Sequence, residues 1–188
     1  MRTKGSVDVM VMKRITLDEL RQLAKAANGK INKIYLHWTA GNYHQFFDDY
    51  HLNIDNDGAI IATTDDLAEY KAHTWHRNTG AIGICMCCCC DAVAYQDGTV
   101  DFGAVPPTPM QIDGMAKAVA VLCEKLGLDI NVDTVMTHAE AAEIDGYGPS
   151  TTFERWDLWK LPDLPGDGII KPGGDVIRGK AIWWRNNW

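Results

Sequence analysis

The sequence predicts a single α/β domain, and three observations support this prediction. The chain has 188 residues, of which 46% are hydrophobic, so it can bury one sizeable core but is short for two. Short apolar runs that stop at turn residues are typical of strands. Longer segments with one apolar face, each preceded by a capping signal, predict helices between them.

The N-terminal part of the chain predicts an arm, a helix and a buried strand. Residues 1–15 show no clear periodicity, and we expect a loose or strand-like arm. Thr16-Leu-Asp-Glu19 is a capping box that starts a helix, and Asn28-Gly29 ends it. Apolar and polar residues then alternate over 34–37, which predicts a buried strand with the imidazole of His37 at its end.

The middle of the chain predicts a hairpin, a cysteine-rich strand and a long helix. Asp57-Gly58 is typical of a tight turn, so residues 51–62 predict an antiparallel hairpin. Residues 82–90 hold five of the six cysteines, which neighbours on a strand cannot join as disulfides. We interpret them as small core side chains of a central strand. Thr108-Pro109 starts a helix that runs to about Leu126.

The C-terminal part predicts a short strand over 133–137, then His138 and an irregular loop to about residue 159. Proline and glycine recur beyond it, so we expect residues 163–188 to form a surface tail packed on a core of residues 31–162. Residues 1–30, the arm and first helix, belong to the same domain. The tail carries three tryptophans that dock onto the sheet or stack on sugar rings: Trp183, Trp184 and Trp188.

Charge and hydropathy argue against two classes of partner. A formal net charge of −7 disfavours nucleic acid and anionic membrane surfaces, since both attract dense positive charge. The chain has no run of about eighteen apolar residues, so no membrane span is predicted. Its first residues lack the apolar region of a signal peptide, and we expect synthesis and retention in the cytosol until the protein is released.

Two histidines are candidates for a metal site because each follows a short apolar strand. His37 and His138 would meet if these strands lie side by side, and Asp157 offers a carboxylate downstream. Two histidines and a carboxylate with an open position are typical of catalytic zinc. Zinc lowers the pKa of bound water to about 7 and polarises a carbonyl, which is the chemistry of amide hydrolysis. Asp145 is a competing third ligand.

Four segments in this order resemble the type 2 zinc-dependent N-acetylmuramoyl-L-alanine amidases, a family related to peptidoglycan recognition proteins and phage endolysins. They are His37-Trp-Thr-Ala-Gly41, His73-Thr-Trp-His-Arg-Asn-Thr-Gly80, Thr137-His138 and Arg155-Trp-Asp157, and the resemblance covers roughly residues 31–160. It implies a central mixed β-sheet flanked by helices. It also implies a Zn²⁺ cofactor and a groove for the glycan and stem peptide of peptidoglycan.

The resemblance also implies roles for single residues. His37, His138 and Asp157 match the zinc ligands. Arg155 matches a basic residue that could hold the oxyanion of the tetrahedral intermediate. His73 matches a histidine near the scissile bond. The groove wall beyond it would consist of Trp75, His76, Arg77 and Asn78.

The proton acceptor is the point where this chain departs from the family pattern. Many members carry a glutamate where this chain has Cys85, and others a tyrosine where the hairpin turn places Leu52. Glu140 is the nearest carboxylate after the second histidine, and we take it as the candidate general base. Two further carboxylates lie behind it: Glu143 and Glu154.

We therefore interpret the chain as a zinc hydrolase that cleaves the amide between N-acetylmuramic acid and L-alanine. We expect a monomeric phage or prophage endolysin that acts on the cell wall after release from the cytosol. Alternatives are a cytosolic muropeptide-recycling amidase and a non-catalytic peptidoglycan-binding module of the same fold. A thiol hydrolase with Cys85 as nucleophile and His73 or His76 as base is disfavoured, because reactive thiols need a polar, partly exposed setting.

Overall fold

A six-stranded mixed β-sheet lies at the centre of the structure, a computed structural model that describes residues 12–162 and 169–188. The elements in chain order are β1 (Lys13–Ile15), α1 (Leu17–Ala26), β2 (Lys33–Trp38), β3 (Leu52–Ile54), β4 (Ile60–Ala62), β5 (Ala81–Met86), β6 (Val93–Ala94), β7 (Val100–Asp101), α2 (Pro109–Leu126), β8 (Val135–Thr137), α3 (His138–Asp145), β9 (Lys160–Pro162), β10 (Ile170–Pro172) and α4 (Gly173–Asn186). The central sheet has the spatial order β1-β4-β3-β5-β2-β8, and two two-stranded sheets, β6-β7 and β9-β10, accompany it.

Parallel pairing brings the two predicted histidines to one edge of the sheet. Strand β2 lies between β5 and β8 and runs parallel to both, while β4 pairs antiparallel with β1 and β3. Leu36 pairs with Thr137, so the next residues along the two strands, His37 and His138, are neighbours. The predicted α/β class and mixed sheet are therefore confirmed.

The alternation of side chains separates a core face of the sheet from a polar face. Ile34 and Leu36 of β2 are fully buried in the main hydrophobic cluster, which also includes Met115 and Val119 of α2. Burying such side chains stabilises the fold by about 1.5–3 kcal/mol each. Tyr35 and His37 alternate with them, and so point to the opposite face. Register partners carry this polar face across the sheet: Gly83 and Cys85 on β5, and Asn53 on β3.

The local signals produce the elements they predict. Thr16 and Thr108 each cap a helix through a complete capping box, and α2 ends at Gly127 with a φ of 67°. The hairpin of β3 and β4 turns at Gly58, whose φ is 79°. The cysteine segment forms the inner strand β5, but the strand ends at Met86. Its cysteines are free thiols, and all but Cys90 are buried.

The C-terminal segment, for which the sequence predicted a surface tail packed on the core, contains a helix. Residues 163–168 lie outside the described residues, but α4 follows them and buries Val176, Ile177 and Ala181 in the core cluster. Trp184 docks on helix α2 rather than on the sheet, because its Nε1 donates to Asp113 Oδ1 at 2.7 Å. Two tryptophans remain about half exposed: Trp183 and Trp188.

The N-terminal arm is strand-like where it can be described. Residues 1–11 lie outside the described residues, and Lys13–Ile15 forms β1 at the edge of the sheet. Leu20 and Ala24 of α1 lie in the main core cluster, so arm and helix share the core of the domain. In the part of the chain that the structure describes, no helix is both long and apolar enough to cross a bilayer.

Candidate active site

His37, His138 and Asp157 converge at the carboxyl end of the parallel strands. His37 Nδ1 lies 3.0 Å from Asp157 Oδ2, and His138 Nδ1 lies 3.1 Å from Asp157 Oδ1. One ligand atom from each residue can be chosen so that all three lie within 4.8 Å of one another. Ligand atoms about 2.1 Å from a tetrahedral zinc ion stand about 3.4 Å apart. The donor types and their spacing therefore fit a zinc ion.

The protonation states of the cluster also suit a cation. Burial lowers the pKa of His37, although its hydrogen bond to Asp157 opposes this effect, so the imidazole is neutral at neutral pH. Burial alone would raise the pKa of Asp157. The charge of His138 and the hydrogen bonds from both imidazoles outweigh burial and hold this pKa below its ordinary value. The site thus offers the neutral imidazole of His37 and the ionised carboxylate of Asp157, and His138 adds a second nitrogen ligand.

Thr74 connects the first histidine of the cluster to His73. Its Oγ1 lies 3.3 Å from His37 Nε2 and 3.0 Å from His73 Nδ1. A group that holds the second ring nitrogen of a metal-ligating histidine fixes the orientation of the ring. Asn78 supports this segment, because its Oδ1 accepts hydrogen bonds from the backbone N–H groups of His73 and Thr74 at 3.1 and 2.7 Å. Thr74 has no role assigned from the sequence, although it lies inside the segment of residues 73–80 that resembles the family.

His73 lies over β5 beside the cluster. Its ring centroid is 5.3 Å from that of His37, and the residue is 9% exposed. Burial, helped by His37 and the other nearby histidines, lowers the pKa of His73 to about 2. His73 is therefore neutral, and its Nε2 is buried without a hydrogen-bond partner among the described residues.

A groove of about 1070 Å³ opens above the cluster. His138 and Asp157 lie in its floor, and the four predicted substrate-binding residues line it: His73, Trp75, His76 and Asn78. Trp75 is 61% exposed, and its ring lies 4.1 Å from that of His76. The structure thus brings the predicted groove residues and the predicted ligands into one site.

Comparison with known families identifies the chain. The family model described as N-acetylmuramoyl-L-alanine amidase matches residues 27–152. The chain belongs to this family. The match confirms the resemblance drawn from the motifs and makes the protein an N-acetylmuramoyl-L-alanine amidase, an enzyme that acts on peptidoglycan. It includes His37 and His138 but ends five residues before Asp157, whose place in the site is seen only in the structure.

Two solved structures from Clostridium intestinale URNW are similar to this amidase. The endolysin N-acetylmuramoyl-L-alanine amidase LysCS is 17% identical, with a TM-score of 0.41 over 60% of this chain and 71% of that chain. The N-acetylmuramoyl-L-alanine amidase LysC is 18% identical, with a TM-score of 0.42 over 66% of this chain and 81% of that chain. No curated protein matches the chain.

Asp145 does not join the metal cluster of the amidase. Its two carboxylate oxygens accept hydrogen bonds from Arg77 Nε and Nη2 at 2.6 and 2.7 Å. This bidentate pair joins the groove wall to α3. It engages the carboxylate of Asp145, which the sequence offered as an alternative to Asp157 for the third metal ligand. The Arg77 guanidinium lowers the pKa of Asp145 in turn.

Arg155 lies at the groove of the amidase, whereas Glu140 does not. The Arg155 side chain is exposed and lines the groove, and its Nη1 donates to the carbonyl oxygen of Glu154 at 3.0 Å. The Glu140 carboxylate instead forms a bidentate ion pair with Arg178, at 2.8 and 2.9 Å, and accepts the backbone N–H of Thr137. Glu140 is therefore a helix-capping residue, and the proposal that it is the general base has to be corrected.

Tyr50 is another residue of the amidase site for which the sequence predicted no role. Its ring lies 5.0 Å from that of His37, and the residue lines the groove. Leu52, the position expected to match the family tyrosine, is buried in the core instead. Residues 48–51 lie in turns and bends before β3, so the alternation of the strand does not apply to Tyr50. Burial, with smaller effects of Cys85, Asp157 and Asp49, raises the pKa of the phenol.

Proposed function

We propose that this amidase is a zinc-dependent hydrolase that cleaves the bond between N-acetylmuramic acid and L-alanine, and that it serves as a phage or prophage endolysin. The observation that supports zinc is the convergence of His37, His138 and Asp157, the last two of which lie in the groove floor. Zinc, when bound there, would make water nucleophilic and polarise the carbonyl. Two exposed aromatic residues of the groove, Tyr70 and Trp75, offer contact area that suits a wall polymer.

Tyr50 and Arg155 are placed to assist at the reacting carbonyl. Hydrolysis forms a bond from water oxygen to the lactyl carbonyl carbon of muramic acid and breaks the bond from that carbon to the alanine nitrogen. Because burial raises its pKa, the Tyr50 phenol stays protonated and can donate a hydrogen bond to the carbonyl oxygen. The Arg155 guanidinium, at the same groove, can add positive charge as the oxygen becomes anionic.

We propose Asp49 as the proton acceptor. Four carboxylates line the groove within the described residues, and three of them have other partners: Asp157 in the cluster, Asp145 with Arg77, and Glu154 with Thr152. Asp49 remains. After burial and the neighbouring cysteines, the charge of Asp49 also helps to raise the pKa of Cys85, the position at which many members carry the glutamate. Asp49 would take a proton from the attacking water and return it to the alanine nitrogen.

The site is complete within one chain, which supports a monomer as the active form. We propose that the protein is made in the cytosol and reaches the wall only after release. Light scattering of the purified protein tests the first statement. The second is tested by expressing the chain with and without a membrane-permeabilising protein, since an endolysin lyses the host only when it has access to the wall.

The metal experiment measures bound zinc and cleavage of purified cell walls before and after chelation. We expect one zinc ion per chain, loss of cleavage on chelation and recovery with added zinc. Asp157→Asn should lose both zinc and cleavage. Full activity in zinc-free enzyme would rule out the zinc proposal, and faster cleavage of soluble muropeptides than of intact walls would favour a recycling enzyme.

The base experiment uses Asp49→Asn. It should keep its zinc and its unfolding temperature but lose about 100-fold or more in kcat. Asp65→Asn is the matched control, because Asp65 is an exposed carboxylate outside the groove. An Asp49→Asn enzyme with the kcat of the parent would show that another group accepts the proton.

A further inference from the structure

Two buried polar side-chain atoms have no hydrogen-bond partner in the described part of the chain. They are Nε2 of His73 and the hydroxyl of Tyr147. Buried polar groups in folded proteins are nearly always paired, so each exception asks for a physical reason. Both residues line the same groove, one on each side of the ligand cluster. A groove that binds a polar substrate supplies such a reason.

Tyr147 contacts both the ligand cluster and the exposed groove wall. Its ring centroid lies 6.2 Å from that of His138 and 5.8 Å from that of Trp75, and both contacts are edge-to-face. A substrate that occupies the groove beside His138 and Trp75 therefore lies next to the Tyr147 ring. Neither the predicted roles nor the proposed catalytic steps use this residue.

The backbone of Tyr147 is held in place by three hydrogen bonds. Its N–H donates to the carbonyl of Ala142 at 2.9 Å, where α3 ends. Its carbonyl accepts from the N–H groups of Glu154 and Arg155 at 3.1 and 3.2 Å. The phenol is thus carried on a fixed segment, and the same segment holds the backbone of Arg155. Such anchoring suits a group that must meet a substrate in one position.

We propose that Tyr147 binds the substrate, with its hydroxyl donating a hydrogen bond to a carbonyl or sugar oxygen of the muramoyl peptide beside the scissile amide. This inference rests on the proposed function and deepens it. If the ring served only to pack, phenylalanine would serve as well and would not leave a buried hydroxyl unpaired. The unpaired hydroxyl costs stability in the free enzyme, and the substrate would recover that cost on binding.

The test compares the parent with Tyr147→Phe in two measurements. Thermal unfolding without substrate should give the variant a midpoint equal to or above that of the parent. Binding of a soluble muramoyl dipeptide, measured by calorimetry on chelated protein so that no turnover occurs, should show a dissociation constant about tenfold higher. With zinc restored, kcat/KM should fall by a similar factor. Tyr95→Phe is the control, since Tyr95 is half exposed and outside the groove.

The outcomes separate this inference from the proposed function. A Tyr147→Phe protein that binds the dipeptide with the affinity of the parent, whether or not it is less stable, overturns the role of Tyr147. This holds whatever the enzyme cleaves. Failure of the parent protein to bind the dipeptide overturns it as well. If the parent binds but does not cleave, the proposed function fails while the ratio of dissociation constants still supports Tyr147.

Discussion

Gly83 makes room for His73, and an alanine at this position tests how closely the imidazole must be held. A Cβ atom on Gly83 would lie 2.5 Å from Cδ2, 2.6 Å from Cγ and 2.8 Å from Nε2 of His73. Ordinary contact begins at 3.4 Å, so the ring would have to move by about 0.9 Å. The backbone of Gly83 is outside the left-handed region, so alanine adds only this steric effect.

The displacement has a calculable consequence for the site. His73 Nδ1 lies 3.0 Å from Thr74 Oγ1, and a ring shift of about 0.9 Å that moves Nδ1 away from Thr74 would take the pair beyond hydrogen-bond distance. Thr74 would then lose one of the two contacts by which it joins His73 to His37. We expect kcat/KM to fall about 100-fold, as for other displacements of about 1 Å in active sites. The free energy of unfolding should fall by about 1–3 kcal/mol from overpacking.

The assay measures cleavage of a muramoyl peptide and denaturant unfolding of the parent, Gly83→Ala and Gly179→Ala. Gly179 is exposed on α4, and a Cβ there meets no atom within 4 Å. This control should keep its activity and gain about 0.5–1 kcal/mol of stability. If Gly83→Ala loses stability but retains kcat/KM within about twofold of the parent, the position of His73 does not matter for the reaction, and the reasoning is refuted.

Two further predictions separate stability from catalysis. Glu140→Gln removes the ion pair with Arg178 and should lower the free energy of unfolding by about 1–3 kcal/mol while kcat/KM stays near that of the parent; a folded variant that has lost kcat would instead restore Glu140 as the base. His51 is buried, its Nδ1 accepts the N–H of Gly83 and its Nε2 donates to the carbonyl of Glu69, and burial lowers its pKa below 6.5. The unfolded chain therefore binds a proton at His51 more readily than the folded chain does. The contribution of neutral His51 to the free energy of unfolding is then fully present above about pH 6.5 and is lost as the pH falls below it, and this free energy changes by at most about 1.4 kcal/mol per pH unit. His51→Gln should flatten the acid limb of stability in metal-free protein, and an unchanged slope contradicts this account.

Local sequence signals were sufficient for most of the fold. The capping boxes at Thr16 and Thr108 and the turn at Gly58 each depend on residues within a few positions, so their structures follow from local hydrogen bonding and backbone preference. The start of α4 shows the limit of such signals. Recurring proline and glycine predicted a surface tail there, whereas Gly173 and Gly174 start a helix where the chain passes close to Leu158 and Glu140.

The sequence by itself determined the residue types of the site, the strands that end in His37 and His138, and the family to which the enzyme belongs. Only the tertiary structure decided which other side chains reach that site. Arg77 binds Asp145 across 68 positions and Arg178 binds Glu140 across 38, which removes both carboxylates from the list of site candidates. Such pairings depend on how distant elements pack together, and no local pattern in the chain encodes them.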